Sequence, residues 1–239
     1  MQISLLRRHK NFLISFVSLV AIIFCTVLYA RAGGGGGHGG GGGGILGLIL
    51  WPLMVAYSAI VSGIAINKKK HVDQLLAQLS QADSVWDLSG MRNRIVEAFY
   101  ALQNAWAARN QNLAKGYMSE ALYLNYKAQT DAMLDRHDEN VLDQINLDDF
   151  IVVDIDDFLD DTKDYFWVLM KGSMIDYHIN DTTGQLISGD RDTPESFREL
   201  WQFVRENNQW VVNRINSSAG ITDVAKLHAY SERIQKMLK

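Results

Sequence analysis

The chain has 239 residues, a formal net charge of −4 and one cysteine. The acidic balance excludes the basic surface with which proteins hold nucleic acid, so no nucleic-acid partner is expected. A single cysteine excludes an intramolecular disulfide, so nothing in the sequence requires an oxidising compartment.

Residues 1–67 predict a membrane anchor. Residues 12–30 and residues 45–66 form uncharged runs of 19 and 22 residues. A helix rises about 1.5 Å per residue, so each run is long enough for a bilayer core of about 30 Å. Residues 33–44, which are glycine except for His38, predict a flexible loop between the two helices. The first run also fits a cleavable signal peptide, because Ala30-Arg31-Ala32 resembles a signal-peptidase site.

Basic residues flank both outer ends of this hairpin. Arg7, Arg8 and Lys10 precede the first run, and Lys68, Lys69 and Lys70 follow the second. Lysine and arginine favour the cytoplasmic side of a membrane helix, so we expect the following domain to be cytoplasmic. The three lysines are also candidate contacts for anionic lipid.

Residues 68–85 predict a juxtamembrane linker helix. Val72, Leu75, Leu76 and Leu79 recur at helical spacing. Their apolar face either lies on the membrane surface beside the lysines or packs against the following domain, and the sequence leaves both open.

Further helices are predicted downstream. Ile95, Phe99, Leu102 and Trp106 line one face of a helix over residues 89–108. Ser119 is a candidate N-cap for the next helix, and a short helical turn is expected around residues 139–144. Residues 218–239 predict a final helix.

The sequence between these helical parts predicts about four antiparallel strands. Residues 151–155 alternate in polarity, whereas residues 165–179, 197–205 and 210–215 are rich in branched and aromatic side chains. Polar turns separate the strands. Helices followed by an antiparallel meander define an α+β domain.

Three groups of residues in this domain resemble the Tim44-like family. They are Phe99 to Trp106 with Met118 to Leu122; His137 to Asp154; and Met174 to Tyr177 with Gly184, Gly189, Leu200 to Arg205 and Asn208 to Ile215. The namesake of this family is the scaffold that anchors the import motor at the mitochondrial inner membrane, and the family's bacterial relatives are membrane-anchored. The resemblance places the domain at residues 86–217 and implies a nuclear-transport-factor-two-like fold, in which helices pack on a curved antiparallel sheet.

The resemblance implies a non-enzymatic, membrane-tethered scaffold of the bacterial inner membrane, linked either to protein translocation or to membrane-protein assembly. Its partners would be membrane lipids and a protein at the cytoplasmic face. It also implies an apolar pocket for a peptide segment or a lipid, although the same aromatic side chains also fit a plain core. The candidate pocket residues are Phe99, Trp106, Trp167, Trp201, Phe203 and Trp210.

The other polar groups have plainer interpretations. Arg205 is expected to pair with Asp176 across neighbouring strands, and the aspartates between residues 154 and 164 are expected on a solvated edge and turn. No cofactor or metal is expected. The alternative function is an isomerase or dehydratase of the same fold, with His178 or Asp176 facing a hydroxyl of Tyr117 or Tyr123.

Overall fold

The computed structural model describes residues 45–217 and 220–237. The predicted span at residues 12–30 and the glycine loop at residues 33–44 lie outside the described residues. The second predicted span begins the described chain.

Helix α1 (Ile45–Ala82) joins the second apolar run and the linker in one helix of 38 residues. Val61 and Ala65 are buried against the sheet, whereas Val55, Ile60 and Ile66 are 48%, 48% and 51% exposed. Within the described ranges, no helix combines the length and apolar character that a membrane crossing requires.

The predicted central helices are confirmed. Helix α2 (Leu88–Ala107) begins where the Asp87 side chain accepts a hydrogen bond from the backbone N–H of Gly90. Helix α3 (Glu120–Asp135) has Ser119 as its N-cap, as predicted. The Ser119 hydroxyl accepts a hydrogen bond from the backbone N–H of Leu122. Short 3₁₀ turns at Ser84–Trp86 and Gln111–Tyr117 precede the two helices.

The sheet contains four long strands and two short ones. The long strands are β1 (Asp138–Asp157), β2 (Tyr165–Asn180), β4 (Glu195–Glu206) and β5 (Gln209–Asn216). The short strands are β3 (Leu186–Gly189) and β6 (Tyr230–Ser231). The order is β5-β4-β2-β1-β6, with β3 also paired to β2, and only β6 runs parallel to its neighbour. The α+β prediction is confirmed.

Two local predictions are wrong. Residues 139–144 are not helical but open strand β1, because Asp138 to Asp143 pair with the far end of β2 from Asn180 to Ile175. That pairing satisfies their backbone groups across the sheet and overrides a weak local helical preference.

The second error concerns the C-terminal stretch, which is not one helix. It forms helix α4 (Ile221–Ala225), strand β6 and helix α5 (Glu232–Met237). The helical pattern is broken because Tyr230 and Ser231 pair with Asp156 and Asp157 at the edge of β1.

The core lies on both faces of the sheet. The larger cluster packs helices α1, α2 and α3 on one face, around Phe99, Phe166 and Trp201. A smaller cluster on the other face joins Val61 and Ala65 of α1 to Val153, Leu169, Leu200 and Val224. Val61 and Ala65 of α1, together with Val224, therefore cover a sheet face that would otherwise meet solvent.

Candidate binding surfaces

The predicted aromatic pocket is largely filled by its own side chains. Phe99, Trp201, Phe203 and Trp210 are buried in the larger cluster. The Phe166 ring stacks on Phe203 at 4.8 Å between centroids and meets the edge of Trp210 at 4.8 Å. Such contacts are those of a packed core, so these residues stabilise the fold and leave little room for a ligand among themselves.

The other two candidate aromatics lie apart from these four. Trp106 is half-buried, donates from Nε1 to Asn140 Oδ1 at 3.0 Å, and meets Tyr126 edge-on at 5.1 Å. Trp167 packs against the smaller cluster on the opposite sheet face. The structure therefore brings four of the six candidates together and separates the rest.

The three predicted lipid-contact lysines have different environments. Lys68 donates from Nζ to the carbonyl oxygen of Leu227. Lys69 pairs with Asp73 at 2.5 Å, one helical turn further along. Lys70 is exposed. The three lysines therefore do not form a single exposed basic surface.

A cavity of about 380 Å³ opens beside Lys68, between α1, β1 and the segment before β6. Its wall combines apolar side chains with four nitrogen-bearing side chains. The lining residues are Ile64, Asn67, Lys68, His71, Val153, Leu227, His228 and Ala229.

Asp154 and Asp156 are buried rather than solvated, which corrects the prediction for this run. They lie on the same side of β1 because side chains two residues apart on a strand point the same way, and a bulge between Val152 and Asp154 immediately precedes them. Burial raises the pKa of Asp154 to about 7; the charge of Asp156 raises it further, and Lys68 opposes the shift. Burial likewise raises the pKa of Asp156, against the hydrogen bond it receives from Tyr165.

The pair is suited to holding a proton near neutral pH. Asp154 is only 2% exposed, and its Oδ1 has no hydrogen-bond partner among the residues described here. This environment has no local sign in the sequence, because an aspartate on an alternating strand looks the same whether a helix covers it or water does.

Arg205 pairs with other partners than the predicted Asp176. Its Nη1 lies 2.5 Å from Asp83 Oδ2 and 3.1 Å from Asp164 Oδ2. The register explains the error: Val204 pairs with Tyr165, so Arg205 stands beside the start of β2. Asp176 lies near the other end of that strand and accepts from Asn140 Nδ2 at 2.6 Å.

Arg233 of α5 completes this charged group, and sequence reasoning missed it. Its guanidinium pairs with Asp83 at 3.3 Å, with Asp157 at 3.1 Å, and with Asp161. Asp83, Asp161 and Asp164 are close enough together to ligate a cation, but Arg205 and Arg233 already supply positive charge there. The arrangement is that of an ion-pair network between the C-terminal segment and the domain.

The groups proposed for catalysis each bind a different partner. His178 Nδ1 lies 2.7 Å from Asp138 Oδ1, and the hydroxyl of Tyr123 donates to Asn112 at 2.7 Å. Tyr117 lies under the guanidinium of Arg94, 4.1 Å from its ring centroid. These contacts do not assemble the predicted acid–base arrangement.

The chain belongs to the Tim44-like family: the model of the Tim44-like domain matches residues 72–217. This finding confirms the resemblance, and the match begins within α1, upstream of the predicted domain start. At the level of the family, membership implies a membrane-associated, translocation-related scaffold role.

One solved structure similar to this chain is the crystal structure of the intermembrane space region of chloroplast protein ARC6. It aligns with a TM-score of 0.38 and 6% identity, over 54% of this chain and 95% of that chain. No curated protein matches the chain.

Proposed function

We propose that the protein is a non-enzymatic scaffold, tethered to the bacterial inner membrane, which presents its domain to a protein partner at the cytoplasmic face. The observation that carries the tether is the two-sided character of α1. Val61 and Ala65 face the domain, while Val55, Ile60 and Ile66 remain about half exposed on other sides of the helix. Exposed apolar side chains on a helix that continues into a run of lysines are suited to a membrane surface.

The uncharged run at residues 12–30 supports the same proposal, because its length is sufficient for a bilayer-spanning helix. Together with the exposed apolar residues of α1, a helix over residues 12–30 would hold the domain at the membrane with the C-terminus on the cytoplasmic side. The nuclear-transport-factor-two-like architecture and the link to translocation belong to this proposal as well.

Replacing the exposed apolar residues tests the contribution of α1. V55S/I60S/I66S in the full chain should move a measurable share of the protein from washed membranes into the soluble fraction. L124S/L134S is the matched control, because Leu124 and Leu134 are also exposed but lie on α3. If both variants fractionate like the wild type, these exposed apolar residues of α1 have no role in membrane attachment.

The scaffold role itself is tested by photo-crosslinking in native membranes. Crosslinkers placed on the exposed domain surface should trap a defined protein partner. A domain that traps only lipid would contradict the scaffold proposal.

A second candidate function, an isomerase or dehydratase, is favoured by the buried Asp154–Asp156 pair beside Tyr165. Chemistry of this kind moves a proton with a carboxyl whose pKa lies near neutral pH. It would incorporate deuterium from heavy water into a small carbonyl substrate, and D154N would abolish that incorporation. A metabolite extract that gains no deuterium with the wild type argues against the enzyme.

A further inference from the structure

The C-terminal strap, defined as residues 220–237, lies beyond the family-matched region and yet packs closely on it. Val224 is buried in the smaller cluster, and Ser231 is buried beside β1. Tyr230 and Ser231 pair in parallel with Asp156 and Asp157. The strap therefore occupies a groove formed by α1 and by the edge of β1 that does not pair with β2.

The groove recognises the strap through two side chains separated by one residue. The hydroxyl of Ser231 donates to Asp157 Oδ2 at 2.7 Å. Arg233 places Nη1 3.1 Å from Asp157 Oδ1, in an ion pair whose geometry is not that of a hydrogen bond, and Nη2 donates to the carbonyl of Phe158 at 3.0 Å. The strap therefore contacts both oxygens of the buried Asp157 carboxylate.

The charge of the groove defines what must occupy it. Four carboxylates, those of Asp83, Asp157, Asp161 and Asp164, surround the groove end. Arg205 from the sheet pairs with Asp83, Asp161 and Asp164, whereas Asp157 pairs with Arg233 of the strap. With the strap in place, the Asp157 side chain is 0% exposed. A buried carboxylate without a cation is strongly unfavourable, so an occupant needs a guanidinium, whose fork can reach several carboxylates at once.

The strap is held by short elements. Helix α4 has five residues, β6 has two and α5 has six. Short elements with few ladder hydrogen bonds open locally more readily than long central strands. The strap can therefore be exchanged while the sheet beneath it stays folded.

We propose that the groove is a peptide-binding site, which the strap occupies until a segment of a protein partner displaces it. The partner segment is extended, adds to β1 in parallel, and carries a hydroxyl side chain followed two residues later by arginine. This inference deepens the scaffold proposal by specifying the chemistry of the partner. The peptide-binding assay does not depend on membrane attachment. A failure of the peptide-site proposal is therefore distinguishable from a failure of the membrane-scaffold proposal.

The test uses the full chain in mild detergent and a fluorescent peptide with the sequence of residues 220–237. Wild-type protein, with the groove occupied, should bind the peptide weakly. R233A removes the anchor of the protein's own strap, and its affinity for the peptide should rise at least tenfold. K236A is the matched control, because Lys236 is exposed on the same helix, and it should bind like the wild type.

Two further measurements keep the outcome decisive. A peptide carrying R233A should lose the gain in affinity, and R233A protein should show faster hydrogen exchange at residues 230–234 with unchanged exchange in β2 and β4. The proposal is overturned if the opened protein does not bind the peptide more tightly, or if the arginine-free peptide binds equally well. Loss of protection throughout the sheet would also overturn it, because the strap would then be an integral part of the fold.

Discussion

At the scale of single residues, Asp154 occupies an environment that differs from its sequence context, because the side chain is buried. An unfolded chain releases this proton near the ordinary pKa of 3.8, whereas the folded protein holds it up to about pH 7. The folded state therefore binds more protons between about pH 4 and pH 7, and the contribution of Asp154 to stability falls as pH rises through that window.

D154N should remove this loss of stability with rising pH, because asparagine resembles the protonated acid in shape and carries no charge. At pH 8 we expect the variant to be more stable than the wild type by roughly 2–4 kcal/mol, and the difference should shrink toward pH 4. Urea unfolding followed by tryptophan fluorescence at both pH values measures this. A wild-type stability that does not fall between pH 5 and pH 8, relative to D154N, would rule out a buried protonated Asp154.

Phe99 and Trp106 stand on one helix and differ in burial, so their truncations should differ in cost. F99A should lower the free energy of unfolding by about 3–5 kcal/mol, because it leaves a cavity among Phe197 and Trp201. W106A should cost less, since the ring is half-buried. V96A, at an exposed position of the same helix, is the control and should fall within about 0.5 kcal/mol of the wild type. Equal costs for F99A and W106A would contradict the placement.

At the scale of elements, the lysine run of α1 divides between two roles. In a chain that begins at Ile45, K70Q should weaken binding to anionic vesicles about fivefold, because each lysine near such a surface contributes about 1 kcal/mol. K68Q should additionally speed hydrogen exchange near residues 227–231, because it removes the bond to the Leu227 carbonyl. K127Q on α3 is the control. If K70Q binds vesicles like the wild type at every salt concentration, the run only orients the helix.

The sheet illustrates how element-level prediction depends on periodicity. The strands predicted at residues 165–179, 197–205 and 210–215 are confirmed, because their branched and aromatic side chains pack into one core whatever their partners. The N-terminal half of β1 was missed because residues 138–149 are mostly polar. Only their pairing with the end of β2 makes them a strand.

At the scale of the whole molecule, topology is the property to measure. The basic residues outside both apolar runs predict that the C-terminus is cytoplasmic. A reporter that is active only in the periplasm, fused after Lys239, should therefore be silent, whereas one active in the cytoplasm should be functional. Strong periplasmic activity would place the domain, and with it any partner, on the other side of the membrane.

The sequence by itself determined the α+β class, the central helices, the long strands and the family, because these depend on periodic apolar residues and on the order of local motifs. The pairing of Arg205 with Asp83 and Asp164, the burial of Asp154 and the docking of Arg233 were decided only by the tertiary structure. Each depends on which distant segments cover a sheet face or edge. A charged side chain carries no local sign of whether a helix, a strap or water will lie over it.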